Sequence, residues 1–217
     1  MVAGVVEFAD AGSGVPLGHD VSSAGSNERE IDYLRFAVVD VETSGLSPRR
    51  NRVLQVAVVT ATADGTVLDR WSSYVRPRWR WMFRLGPKRI HRIERSTLRR
   101  APKVADVLTQ FATAIDGSVL TAHNLKFDRS FLTAAAVRAG RELPIDRQLC
   151  TLELSRSLDP ERQYSHGLAG LCRKYEIPLT NHHDALADAE ATVALLPHLL
   201  TAGGLTNAAE FAQFVRS

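Results

Sequence analysis

The sequence predicts an α/β fold built on one mixed central sheet flanked by helices, and three observations predict it. Apolar runs rich in β-branched residues near 36–43, 53–61 and 67–76 follow one another closely, as the strands of an antiparallel meander do. From about residue 102 the pattern changes to helical segments alternating with short strands, the order expected of parallel β/α units. At 217 residues with 45% hydrophobic content, the chain can bury one sizeable core, which sets the expectation of a single domain.

Each element has its own local reason. Phe36-Ala-Val-Val-Asp-Val-Glu-Thr43 is apolar and short enough for a buried strand. The next two strands are joined by Ala63-Asp-Gly-Thr66, a turn sequence. Residues 102–115 read as a helix. Val119-Leu-Thr-Ala-His-Asn124 is a second apolar strand running straight into an Ala-rich helix over 127–139, and a short strand is expected near 148–151. Helices follow at about 152–158, 166–175 and 184–200, with a last one at 207–216 after the Gly203-Gly204 stop.

The first strand carries the most informative pair. Asp40 and Glu42 stand two residues apart, so the strand period puts both carboxylates on one face at the end of an otherwise apolar element. Two readings follow: a hard divalent cation such as Mg²⁺ or Mn²⁺ neutralises the pair, or one carboxylate caps a turn while the other pairs with Arg49, Arg50 or Arg52. Downstream carboxylates favour the cation. Asp128 lies at a strand-to-helix junction, where sites of α/β sheets collect. Asp188 lies one turn into a helix that starts at Asp184, a good N-cap residue. His183 then falls in the loop before that helix; on one continuous helix it would point about 140° away from Asp188.

These segments resemble the DnaQ-like DEDDh family of 3′-to-5′ exonucleases, which includes the epsilon proofreading subunit of bacterial replicative polymerase. The matching motifs are Asp40-Val-Glu-Thr-Ser-Gly-Leu46, Ala122-His-Asn-Leu-Lys-Phe-Asp128 and His183-Asp-Ala-Leu-Ala-Asp-Ala-Glu-Ala-Thr192, and the resemblance covers about residues 34–200. It implies a ribonuclease H-like fold, an exonuclease domain over 31–217, and two metal ions, Mg²⁺ or Mn²⁺, held by Asp40, Glu42, Asp128 and Asp188. It also implies His183 as general base, because an imidazole titrating near pH 6.5 is mostly neutral at neutral pH. Only the family's spacing selects His183 over His182, which otherwise reads as a solvated loop side chain. In that scheme one metal activates the water and the other stabilises the departing 3′-oxygen, the ions about 4 Å apart.

Other candidates have two readings each. Gly45 permits a turn with positive φ, so Thr43, Gly45 and Leu46 are candidates to clasp the terminal nucleotide, with Leu46 a wedge or a plain surface leucine. His123 and Asn124 either hydrogen-bond substrate or tie down their loop, the second being the favoured reading. Gln55 stands where the family often has a glutamate. Ile90-His-Arg-Ile93 stands where relatives tend to have Ile-His-Gly-Ile.

Charge is unevenly distributed. Between Arg76 and Lys103 eleven Lys or Arg stand against one acid, Glu94, so this segment carries +10 within a chain of net +3. Trp79, Trp81 and Phe83 interleave with Arg78, Arg80 and Arg84, a composition that grips phosphates and stacks on bases, or else a solvated basic loop anchored by its tryptophans. The expected partner is nucleic acid, as single-stranded 3′ ends, with DNA preferred over RNA from the resemblance. A polymerase partner stays open, with no tether visible.

Residues 1–30, rich in Gly, Ser and Ala, read as a flexible tail and not a signal peptide. No repeat or membrane-spanning stretch is present. Cys150 and Cys172 have no paired spacing, which fits packed thiols in a reduced, cytoplasmic protein. An HD-type phosphohydrolase from His182-His183-Asp184 implies an all-helical domain against the strands read here, and a non-haem iron site leaves Asp40, Glu42 and Asp128 unexplained. The better rivals are a non-catalytic nucleic-acid-binding module and an RNA-processing exoribonuclease of the same family.

Overall fold

The computed structural model describes residues 31, 34–77, 84–86, 88–205 and 208–215. Five strands form one sheet in the order β3-β2-β1-β4-β5, with β1 Phe36–Thr43, β2 Val53–Ala61, β3 Val67–Tyr74, β4 Val119–Ala122 and β5 Gln148–Cys150. β1, β2 and β3 pair antiparallel, while β4 and β5 join in parallel, so the mixed sheet read from the sequence is the one observed. The turn before β3 is closed by Asp64, which accepts from Thr66 N at 3.0 Å and from the Thr62 hydroxyl.

Alternation along β1 sorts the two faces of the sheet. Phe36 and Val38 pack with Ala57 and Val59 beneath α7 (Ala185–Ala202), α6 (Leu168–Lys174) and α5 (Thr151–Ser157). Ala37, Val39 and Val41 face the other way, against α3 (Val104–Ile115) and α4 (Leu125–Ala139). Asp40 and Glu42 continue the even-numbered row, so the pleat delivers both to the α7 side as the strand leaves the core.

Two short helices lie where the sequence reading places no element: α1 Lys88–His91 and α2 Arg95–Arg100. Each is too short for a periodic apolar stripe, and the cluster that seats them has Leu54, Ile93 and Leu98 at its centre among the described residues. The final helix, α8 Ala208–Ala212, is shorter than expected. The proposed tail over 1–30 lies outside the described residues. Among those described, no helix is long and apolar enough to cross a membrane.

Candidate active site

The site forms where β1 outruns its parallel neighbour. β4 pairs with β1 only from Phe36 to Val38, so the N–H of Val41 has no strand partner on that side. Asp128 supplies one: its Oδ1 accepts from Val41 N at 3.1 Å, which fixes the first turn of α4 against the strand end. Asn124 makes this turn by adopting a left-handed conformation, φ 72°, between β4 and α4. The sequence reading of Asp128 at a strand-to-helix junction is thus met in the fold.

From the other side, α7 brings Asp188. Asp184 caps this helix as expected, its Oδ1 accepting from Leu186 N at 3.1 Å and Ala187 N at 3.3 Å. Asp188 follows one turn later, buried, and its oxygen lies within 4.8 Å of oxygens of Asp40 and Glu42. Asp128 stands outside this mutually close trio, engaged with the Val41 N–H.

No lysine or arginine forms an ion pair with this group among the described residues. Arg49, Arg50 and Arg52, the cations allowed for by the turn-capping reading, do not pair with it. The electrostatic consequence is a rise in carboxylate pKa. Burial raises Asp40 well above the carboxylate range, with the charges of Asp128, Asp188 and Glu42 adding to it. Burial, then Asp188 and Asp184, pushes Glu42 up to about 8. Burial also raises Asp128, against the lowering effect of its backbone hydrogen bonds. Gln55, directly across from Glu42 in the β1–β2 ladder, donates to Asp184 at 3.4 Å; a carboxylate there would add another negative charge.

The loop before α7 holds both histidines. His183 adopts φ 75°, its N–H donates to Asp188 Oδ2 at 3.2 Å, and its ring is exposed. Burial and the neighbouring His182 lower its pKa. The structure corrects the reading of His182 as a free loop side chain: its Nδ1 donates to Asp188 at 2.8 Å and its ring stacks on His183 with centroids 4.0 Å apart. Spacing alone could not show this, because the contact depends on the left-handed turn at His183.

The Thr43 to Leu46 turn forms the rim. Thr43 Oγ1 donates to Gly45 O at 2.8 Å, and Asn51 bridges the turn by donating to Ser44 O and accepting from Ser47 N. Gly45, at φ 149°, lies so close to Asn51 that an added Cβ would sit 2.7 Å from its side-chain amide. Leu46 stands out at 86% exposed. Gly86 packs its backbone against Ser44, where an added Cβ would collide with the carbonyl oxygen, so the basic segment abuts this rim at Gly86. Arg84, two residues earlier, is exposed, whereas Arg78 and Arg80 lie outside the described residues, as do Trp79, Trp81 and Phe83.

His123 turns inward, its Nδ1 3.0 Å from Thr151 Oγ1 and its pKa lowered to about 4, chiefly by burial. That agrees with the loop-tying reading. Nearby, Ser155 Oγ contacts His166 Nδ1 at 2.7 Å, and His166 Nε2 lies 3.2 Å from Asp159 Oδ2 at an angle short of a hydrogen bond. All three residues are buried, so this Ser-His-Asp arrangement is closed to substrate.

Residues 37–196 match the family model described as exonuclease, of the RNase T type. The chain belongs to this exonuclease family. It is similar to the PolC-type DNA polymerase III of Halalkalibacterium halodurans, 35% identical over 185 residues that make up 84% of this chain and 12% of that protein. The Bacillus subtilis PolC-type polymerase is 33% identical over 192 residues, 86% of this chain and again 12% of the polymerase. The chain thus spans about an eighth of the length of these relatives. Among solved structures, exonuclease X in complex with 5′ overhanging duplex DNA aligns with a TM-score of 0.63 and 27% identity, over 81% of this chain and 98% of the other. Escherichia coli exonuclease I in complex with a dT13 oligonucleotide shares the fold, with a TM-score of 0.69 at 20% identity over 79% of this chain and 42% of its own. Membership of the DnaQ-like exonucleases and the ribonuclease H-like fold are therefore both borne out, and the chain is a nuclease of that family.

Proposed function

We propose that this chain is a two-metal-ion 3′-to-5′ exonuclease that releases nucleoside 5′-monophosphates, prefers DNA to RNA, and has residues 31–217 as its exonuclease domain. The observation that carries the reading is the convergence of Asp40, Glu42 and Asp188 oxygens within 4.8 Å, beside buried Asp128, with no lysine or arginine paired to them among the described residues. Such a donor set, all carboxylate oxygen and electrostatically strained, fits hard divalent ions such as Mg²⁺ or Mn²⁺.

Asp40, Glu42, Asp128 and Asp188 would hold the ions. When bound, these supply Lewis acidity for the attacking water and for the departing 3′-oxygen. His183 accepts the proton of the water, a task suited to an exposed imidazole kept neutral by its lowered pKa. Asp188 aims it, by holding the His183 backbone N–H. Thr43, Gly45 and Leu46 seat the last nucleotide, the exposed leucine lying against its base. The preference for DNA rests on relatives that are DNA polymerases and on exonuclease structures that hold DNA. Association with a polymerase would fit the same relatives.

The test offers purified protein 5′-labelled single-stranded, duplex and mismatched DNA, with matching RNA, in Mg²⁺ or Mn²⁺. A descending ladder from the 3′ end, release of 5′-monophosphates and silence in excess chelator are expected. Rapid cutting of a closed circular strand, or hydrolysis that survives the chelator, would overturn the reading.

A further inference from the structure

Arg92 occupies a backbone conformation that L side chains rarely adopt, with φ 55° in the left-handed region. Its neighbours hold it there. His91 and Ile93 are buried at 4% and 5% exposure; His91 Nε2 donates to Leu85 O at 3.0 Å, and its Nδ1 accepts from Ile93 N at 3.0 Å. Arg92 N donates to Lys88 O at 2.9 Å. The residue between these anchors is thus fixed in place while its side chain stays exposed.

The guanidinium has no ion-pair partner among the described residues. The nearest carboxylate in sequence, Glu94, is taken by Lys88 at 2.5 Å. Arg92 instead lines a cleft of about 250 Å³ together with Tyr74, His182, His183 and Asp184. Its charge is also felt at His183, where it helps to lower the imidazole pKa. A charged side chain held in a strained conformation, without an ion-pair partner among the described residues, and lining the same cleft as His183 has no evident structural purpose.

We propose that Arg92 is a substrate-binding residue that grips the phosphate of the 3′-terminal nucleotide, the group the exonuclease is to cut; this rests on the function proposed above. A phosphodiester entering beside Asp40, Glu42, Asp128 and Asp188 meets like charge, and a guanidinium in the cleft shared with His183 offsets it with a planar fork that matches two phosphate oxygens. The terminal phosphate is selected because Arg92 shares its cleft with His183, whose proposed task is at that phosphate. Strain at this position is the cost of placing a side chain where a glycine would fit the backbone more easily.

The experiment compares the full chain with R92G, R92Q and R92K. Inhibition of DNA hydrolysis by thymidine 5′-monophosphate and by thymidine is measured, with binding of a labelled oligothymidylate across a salt series and thermal midpoints. R92G and R92Q are expected to weaken inhibition by the monophosphate about 10- to 100-fold while leaving inhibition by thymidine alone, and R92K to recover part of the loss. The log-log salt slope should fall in magnitude by about 0.7, the value of one single-strand phosphate contact. The R92G midpoint should stay level or rise by up to about 3 °C, because the glycine relieves the left-handed strain. Monophosphate inhibition and salt slope both unchanged in R92G and R92Q would overturn the proposal. So would a loss confined to R92G and joined to a lower midpoint, since this would mark a backbone effect. If the unaltered protein degrades no 3′ end, the exonuclease reading falls, whereas direct titration with the monophosphate still reports on Arg92.

Discussion

Asp159 and Asp40 are both aspartates in a cluster that includes other ionisable groups, yet their surroundings push them in opposite directions. Burial raises Asp159, but hydrogen bonds from Gln163 N and Tyr164 N and the nearby His166 outweigh it and hold the carboxyl below its usual range. Asp40 has no such donors among the described residues; burial and four neighbouring carboxylates, those of Asp128, Asp188, Glu42 and Asp184, all raise it. The carboxyl of the first cluster is held by donors from within the protein, whereas the carboxylates of the second have no lysine or arginine paired to them among the described residues. A Ser-His-Asp arrangement with every member buried is architecture, and a half-open set of unneutralised carboxylates is a place where chemistry can happen.

The sharpest way to break this contrast is to remove the centre of the open cluster. Asp40→Ala should reduce exonuclease turnover by at least about 10³-fold, since it takes away one of the three converging carboxylates that would hold the ions. The fold should survive, as seen by circular dichroism, because the alanine relieves repulsion. Turnover within tenfold of the unaltered protein would end the contrast.

The two histidines sharpen it next. His183→Ala should lower turnover by roughly 10² to 10⁴, the usual worth of a positioned general base, with nucleic-acid binding kept. His182→Ala should cost less than about tenfold, because its contact with Asp188 has only to give way for cations to enter. The reverse ranking in steady-state kinetics would exchange their roles.

At the closed cluster the expected effect is on stability. Asp159→Ala strips the acceptor from two backbone N–H groups and leaves His166 without its partner, so the thermal midpoint should drop by several degrees. Turnover per folded molecule should stay within about twofold. A variant that melts normally but loses activity would show that the buried network serves catalysis after all.

The last effect is a pH dependence. Glu42 in the folded chain is pushed up to about 8 from an ordinary 4.5, so the native state holds a proton that the unfolded state has released between those values. Its contribution to stability is therefore full below about pH 4.5, declines as pH rises and is gone above about 8, with a slope of at most about 1.4 kcal/mol per pH unit for one proton. In metal-free buffer Glu42→Gln should flatten this decline, and Mg²⁺ or Mn²⁺ should reverse it in the unaltered protein. Identical slopes for both proteins in denaturant titrations would remove Glu42 from the cause.

Much of this was readable in the chain, because strand period and helix caps are local rules. The bounds of β1 and β2 agree with the expected 36–43 and 53–61, and Asp184 caps α7 where its residue type said it should. The even-numbered row in β1 put Asp40 and Glu42 on one face before any neighbour was known. Three features were not legible for physical reasons. α1 and α2 are seated by a few buried contacts rather than by a periodic face. The grip of His182 on Asp188 arises from a turn with positive φ at His183. The union of Ser155, Asp159 and His166 brings together two segments through burial, with no spacing rule to announce it.

Val41 gives the molecule a built-in gauge. Past the end of β4, its amide proton rests on a side chain instead of a neighbouring strand, so its exchange with solvent deuterium follows the position of Asp128. The amides at the start of β1 stay locked in the sheet whatever happens at the site. A ligand that pulls Asp128 away from the strand should therefore unlock one backbone position and leave the rest silent, reporting occupancy through a single proton.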